Sequence, residues 1–253
     1  MMQCTMLLMN SNDLIAQFNK SNLAKQFTIA YGGDGELLKI AAEVGNKKGI
    51  IPIRNYSQCP EHRSFLEELC TRDIKTRCLK SGLKYYKAPY VVAEVDCNEH
   101  TYKGISEVVV KSHDPTEALR FSVIVNGKTY MKQCIADGFI FASKLGSHGY
   151  FKSVTRTLFT DDHSVGLGFI APTYGICNLV LKATDDIIVK FERGTTTSIA
   201  YDKKFETTSL PSGSEVKLHQ ASEGVALYGY DIFCCPECRR LRNSTLVNDQ
   251  YLG

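Results

Sequence analysis

No apolar stretch in this chain approaches the roughly 20 residues that a membrane-spanning helix needs, which sets aside a helical membrane protein. A large charge of one sign is missing too. The formal net charge of +3 is too small to argue for nucleic acid or a membrane surface as partner, although a basic pocket receiving phosphates would not show in such a total. No basic residue precedes the short Met6-Leu7-Leu8-Met9 run, so the start makes a poor export signal and reads as a first buried strand. The expected location is the cytoplasm. Internal repeats, low-complexity tracts and obvious flexible linkers are absent as well. What remains is a composition ordinary for a globular enzyme, 43% hydrophobic and 23% charged over 253 residues, enough for one large domain or two modest ones.

Cysteine, in contrast, is plentiful, with ten residues. A disulfide framework suits a small secreted domain, and this chain is larger and shows no export signal, so reduced thiols in the core are the expectation for most of them.

The first hundred residues alternate between helix and strand patterns. Leu14, Ile15 and Phe18 suggest one face of a short helix, 27–31 a buried strand, 36–44 a helix stopped by Gly45, and 49–53 another strand. From 61 to 80, Phe65, Leu66, Leu69, Cys70, Ile74 and Cys78 recur at near-helical spacing. This alternation predicts an α/β layer with a parallel sheet. After about Tyr85 short β-rich runs dominate: 90–96, 105–111, 121–125, 139–142, 178–182, 187–191 and 225–230. Asn126-Gly127 between two runs predicts a tight hairpin, because both residues tolerate the positive φ that such a turn requires. The expected fold is an α/β N-terminal domain (1–96), a β-rich, layered or sandwich-like domain (97–230), and a closing C-terminal segment (231–253).

Residues 27–31 run into Gly32-Gly33-Asp34-Gly35, and a helix pattern follows. Glycines such as Gly33 and Gly35 let the backbone turn sharply and approach a ligand, and a helix N-terminus offers free N–H groups to a phosphate. An acid inside a phosphate-binding turn is repulsive unless it holds a metal or takes a proton. An ionised Asp34 beside a sugar hydroxyl can accept its proton as a phosphoryl group arrives. The plainer alternative is a strand-to-helix turn with Asp34 as the helix cap.

The turn resembles the GGDG motif shared by NAD kinases, diacylglycerol and sphingosine kinases, and phosphofructokinases. Two later segments choose among these. Ser106-Glu107 followed by Val108-Val109-Val110 stands where NAD kinases carry an Asn-Glu or Asn-Asp pair leading into a strand. Residues 137–153, DGFIFASKLGSHGYFKS, are similar in order and spacing to that family's DG-[LF]-I-x-x-[ST]-x-x-G-S-T-A-Y-x-x-S stretch. Gly168-Phe169-Ile170-Ala171-Pro172, then Asn178-Leu179-Val180-Leu181, is a third echo. Over about residues 27–230 the chain thus resembles the NAD kinase family. The resemblance implies transfer of a phosphoryl group from ATP with Mg²⁺, or from polyphosphate, to the 2′-hydroxyl of the adenosine ribose of NAD. It implies Asp34 as the base, Ser106, Glu107 and Asp137 near the dinucleotide, and His148, Gly149, Tyr150 and Ser153 along its adenine or ribose. It also implies a dinucleotide lying between the two halves, a C-terminal segment that returns to the N-terminal domain, and a homo-oligomer. The chain departs from the family pattern at Ser106 for Asn, at Glu36 for Thr or Ser, at His148-Gly149 for Thr-Ala, and at Pro52-Ile53-Arg54-Asn55-Tyr56 in place of a Gly-Asn-x-Gly loop. A lipid kinase sharing the GGDG turn and a non-catalytic dinucleotide-binding relative are the competing readings.

Cys59-Pro60-Glu61-His62 and Cys235-Pro236-Glu237-Cys238 are near copies. A two-residue gap lets both ligands of a knuckle reach one tetrahedral ion, so Cys59, His62, Cys235 and Cys238 form a candidate structural zinc set. The alternative is incidental cysteines in a cysteine-rich chain. The basic tail Arg239-Arg240-Leu241-Arg242 reads as a solvated end.

Overall fold

The structure, a computed structural model, describes residues 15–55, Gln17 excepted, and 82–234. Four sequence expectations lie outside those residues: the strand near Met6, the helix over 61–80, the Cys59, His62, Cys235 and Cys238 set, and the basic tail. The described chain divides into two compact units. Unit 1 combines residues up to Lys87 with those from Val225 onward, and unit 2 is Ala88–Gly224. The chain crosses between the units at 87/88 and at 224/225.

Unit 1 is the α/β layer that the N-terminal pattern predicts. Strand β1 (Phe27–Gly32) leads into helix α1 (Asp34–Val44), and β2 (Gly49–Arg54) follows. β1 and β2 are parallel, with Phe27 opposite Gly49 and Gly32 opposite Arg54. A parallel pair needs a crossover, which α1 supplies by burying Leu37 and Ala41. The end of a strand arriving much later, β14 (Glu215–Tyr228), pairs parallel to β2 through Leu227 and Ile50. Ile51 and Ile53 then pack with Phe27, Ile29, Leu83, Tyr228 and Ile232. Gly49 has no room for a side chain, because a Cβ there would lie 2.7 Å from both Phe27 and Tyr228. A one-turn helix, α3 (Tyr230–Phe233), ends the described chain in this unit.

Unit 2 is a sandwich of two antiparallel sheets. One contains β3 (Tyr85–Val95) with β4 (His100–Gly104), and the run β14, β11 (Ile187–Phe191), β6 (Leu119–Val125), β7 (Lys128–Ala136). The other runs β10 (Leu179–Lys182), β9 (Ser164–Ile170), β8 (Gly138–Ala142), β5 (Glu107–Ser112), β12 (Thr195–Tyr201), β13 (Lys204–Leu210). Alternate residues of both sheets point into a shared core, among them Val108 and Val110 of β5, Phe139 and Phe141 of β8, and Phe121 and Val123 of β6. The opposite face of β5 and β8 is covered as well: Val109, Ile140 and Ala142 pack under Phe151 of helix α2 (Tyr150–Thr155) and under Phe159. That double burial explains why every residue of β8 is buried. The predicted hairpin is present, with Val125 opposite Lys128 and with φ of 50° at Asn126 and 72° at Gly127. No helix among the described residues is long and apolar enough to cross a membrane.

Phe121 is the hub of the sandwich, fully buried with its ring 5.5 Å from Phe139, 6.1 Å from Phe169 and 6.3 Å from Phe191. Truncation removes these contacts and leaves a cavity. Phe121→Ala is expected to lower stability by about 3–5 kcal/mol, read as a fall in the denaturant midpoint at unchanged slope.

Candidate functional site

In unit 1 the GGDG turn is a strand-to-helix junction. β1 ends at Gly32, Gly33 is the helix cap in extended conformation, and Asp34 is the first residue of α1. Asp34 is therefore not the cap. A Cβ on Gly32 would sit 2.6 Å from Cβ of Glu36, so the glycine allows the helix to start tight against the strand. Asp34 and Gly35 open the first turn of α1; by geometry their N–H groups have no partner inside the helix and favour an anion, whereas the Glu36 N–H already donates to the Gly33 carbonyl at 3.1 Å.

Asp34 does not stand alone. Its side chain is 65% exposed, yet Oδ1 accepts a 2.7 Å hydrogen bond from Nη2 of Arg54, whose side chain is 6% exposed. Arg54 ends β2 directly opposite Gly32, which places the two groups side by side. Its Nε donates to the Phe233 carbonyl at 3.1 Å, and the guanidinium lies 3.8 Å over the Phe233 ring. A buried cation is costly unless it is paired and hydrogen-bonded, and Asp34, the Phe233 carbonyl and the Phe233 ring meet that need. Tyr230 stacks on Tyr86 at 5.3 Å. Burial first, then Cys234, then the Asp34 carboxylate and Tyr86 push its hydroxyl well above the usual range, so it stays a hydrogen-bond donor.

In unit 2, Ser106 and Glu107 open β5. Ser106 is buried and its hydroxyl donates to Oε2 of Glu107. Burial raises the Glu107 carboxyl above its ordinary range, and the Ser106 hydroxyl opposes that shift. The loop that begins at Ser143 is seated on the same segment. Ser143 donates from its N–H to the Ser106 carbonyl at 2.9 Å and from its hydroxyl to the Ile105 carbonyl at 2.6 Å. Gly146 lies so close that a Cβ there would be 2.1 Å from the Ser106 carbonyl oxygen and 2.7 Å from Oε2 of Glu107. Gly146–His148 forms a short 3-10 turn, Gly149 caps α2, and Phe151 anchors that helix in space left by Gly166. His148, Gly149, Tyr150 and Ser153 are consequently exposed, and the Ser153 hydroxyl donates to the Gly149 carbonyl at 3.4 Å.

Asp137 lies elsewhere. Its N–H donates to Ile170 and its carbonyl accepts from Ser112, each at 2.9 Å, at the end of β8 where Gly138 faces Lys111. Glu107 faces Ala142 at the other end. Five residues of strand separate the two positions, about 16 Å at 3.3 Å per residue. The structure thus brings Ser106, Glu107 and Gly146 together and keeps Asp137 apart from them within this chain.

Two partners escape the sequence reading, Arg54 and Asp202. Arg54 carried a signal, a lone cation closing an otherwise apolar strand. Asp202 stands in the two-residue turn between β12 and β13, where Tyr201 faces Lys204, and nothing local marks it. Among the described residues no group of three or more His, Cys, Asp or Glu side chains could hold a metal ion.

The two-unit architecture has counterparts among solved structures. An NAD kinase from Archaeoglobus fulgidus in complex with ATP superposes with a TM-score of 0.62 at 18% identity, covering 85% of this chain and 83% of its own. The yeast NADH kinase complexed with NADH gives 0.64 at 14% identity, covering 87% of this chain and 65% of its own. The chain has the NAD kinase fold. At the level of sequence, NAD kinases from two strains of Bacteroides fragilis are 25% identical over 142 residues, 54% of this chain and 47% of theirs. The match therefore spans about half the length of those relatives. No family model matches the chain. Within the NAD kinase fold, the GGDG turn sits at the N-terminus of α1 and the Ser106-Glu107 pair at the head of β5, under the Gly146 loop.

Proposed function

We propose that the protein is an NAD kinase, transferring the γ-phosphoryl group of ATP to the 2′-hydroxyl of the adenosine ribose of NAD. The observation that carries this reading is the placement of Asp34. It is an exposed carboxylate on the first turn of a helix, held in direction by a buried arginine, in a chain with the NAD kinase fold.

In this reading Asp34 accepts the proton of the 2′-hydroxyl. The ribose oxygen forms its bond to the γ-phosphorus as the bond to the β-phosphate oxygen breaks, and ADP leaves with that electron pair. Magnesium arrives with the nucleotide as part of the substrate. Little covalent work falls to the protein, so the catalysis is positioning and charge stabilisation. Arg54 holds Asp34 in one direction. Glu107 accepts hydrogen bonds from ribose hydroxyls, as an acceptor-rich carboxylate does well. The backbone of the Gly146 loop, His148, Gly149, Tyr150 and Ser153 provide the surface beside the adenine and ribose.

Offering NAD, diacylglycerol and sphingosine separately as acceptors, with ATP or polyphosphate as donor, tests the reading. NADP is expected from NAD, with neither lipid phosphorylated. A phosphorylated lipid without NADP would establish the lipid kinase, and NAD binding without any NADP would establish the non-catalytic relative.

A further inference from the structure

The two N–H groups that lead into Glu107 are held by one side chain. Asp202 accepts from the Ile105 N–H through Oδ2 at 3.0 Å and from the Ser106 N–H through Oδ1 at 3.1 Å. It can reach them because the turn between β12 and β13 puts it in the left-handed region, at φ 49°, a conformation that Asp tolerates better than most residues. Gly104 leaves the space, since a Cβ there would lie 2.8 Å from Oδ1 of Asp202 and 3.0 Å from the Glu107 carbonyl. On the other side, Ser143 and Gly146 close on the Ser106 carbonyl. Residues 104–107 are thus fixed from both sides, and the Asp202 carboxylate is the charged member of the clamp.

We propose that Asp202 is a positioning residue for dinucleotide binding, fixing the Ile105–Ser106 backbone so that Glu107 is aimed at the ribose. This rests on the reading of Glu107 as a ribose ligand.

The groups facing Asp202 bear on its protonation. Burial raises its carboxyl to about 7, the two amides oppose that, the Glu107 carboxylate adds to it, and Lys204 opposes it. Tyr90 is the other titratable neighbour, itself pushed up by burial and then by Asp202 and Glu223, with Lys103 over its ring. The ionised carboxylate offers both oxygens to the two amides. A protonated one loses part of that acceptor capacity, so the clamp is tightest above pH 7 and slackens as pH falls through 7. Stability runs the other way. A carboxyl whose folded pKa is raised contributes most below its unfolded value near 4, and that contribution is lost as pH rises to about 7.

The test measures NAD affinity by calorimetry at pH 6 and pH 8, and the Ile105 and Ser106 amide shifts by ¹⁵N NMR over the same range without ligand. In the wild type, NAD affinity should be higher at pH 8 and both amides should titrate with a midpoint near 7. In Asp202→Asn, which offers a single acceptor oxygen, affinity at pH 8 should fall by about tenfold and the amide titration should vanish. Lys204→Met, at an exposed position, should move the midpoint upward. Unchanged affinity at pH 8 in Asp202→Asn, or amides that do not titrate in the wild type, would overturn the proposal. If the wild type binds no NAD while the amides titrate as expected, the ribose reading of Glu107 fails, and the proposed role in binding fails with it.

Discussion

Asp34→Asn is expected to cut turnover by about a hundredfold or more while leaving NAD affinity nearly unchanged. An amide has the shape of the carboxylate and can still accept from Nη2 of Arg54, so the local geometry should persist. What it cannot do is take the proton of the attacking hydroxyl. The cost to stability should be small, about 1 kcal/mol or less, because the Asp34 side chain is 65% exposed and exposed charges contribute little. Asp34→Ala should be worse on that count, since it also removes the acceptor oxygen and leaves Nη2 of the buried Arg54 guanidinium without that hydrogen bond. Steady-state kinetics, calorimetric NAD binding and thermal melts on both variants separate these effects. Equal losses of turnover and affinity in the Asn variant would make Asp34 a binding group rather than a base.

A second large effect is expected at Gly146. Adding one methyl group there brings a carbon to 2.1 Å from the Ser106 carbonyl oxygen, and backbone cannot rotate aside as the end of a side chain can. Either the loop lifts or β5 shifts at its head, and both displace Glu107. Overpacking of this kind costs about 1–3 kcal/mol, and the expected result for Gly146→Ala is a fall of about tenfold or more in NAD affinity with a lower melting temperature. Gly175→Ala is the control, because a Cβ at that position meets nothing within 4 Å, and it should behave as wild type in both measurements.

These two residues were legible in the sequence because each belongs to a compact motif: a glycine turn between an apolar strand and a helix, and an ordered run from Asp137 to Ser153. The strands β1, β2, β6, β8 and β11 were legible for a related reason, being apolar runs stopped by glycine, asparagine or charge. Other elements were not. β12 and β13 are rich in Thr, Ser and Lys, and Phe205 of β13 points outward with 66% exposure, so an alternation of apolar and polar residues finds little to follow. β4 is similar, with Tyr102 as its one large buried side chain.

The partners Arg54 and Asp202 are a different kind of omission. Their roles arise from pairs 20 residues apart, Arg54 with Asp34, and 96 and 97 residues apart, Asp202 with Ser106 and Ile105. Only the folded topology places them in contact. Arg54 at least stands in a segment that departs from the family pattern, and the structure gives that departure a physical consequence: the residue in question is the cation that fixes the proposed base. Asp137 shows the converse. Its motif is intact, yet strand register sets it at the far end of β8 from Glu107.

In the proposed reaction Asp34 takes a proton from one defined hydroxyl of NAD. The most direct test is ³¹P NMR of the product formed from NAD, ATP and Mg²⁺ by the wild type and by Asp34→Asn. A new phosphate monoester on the 2′ position of the adenosine ribose, formed by the wild type and nearly absent with the variant, is the predicted result. Phosphate at another position, or a variant that makes the 2′ ester at near-normal rate, would contradict it.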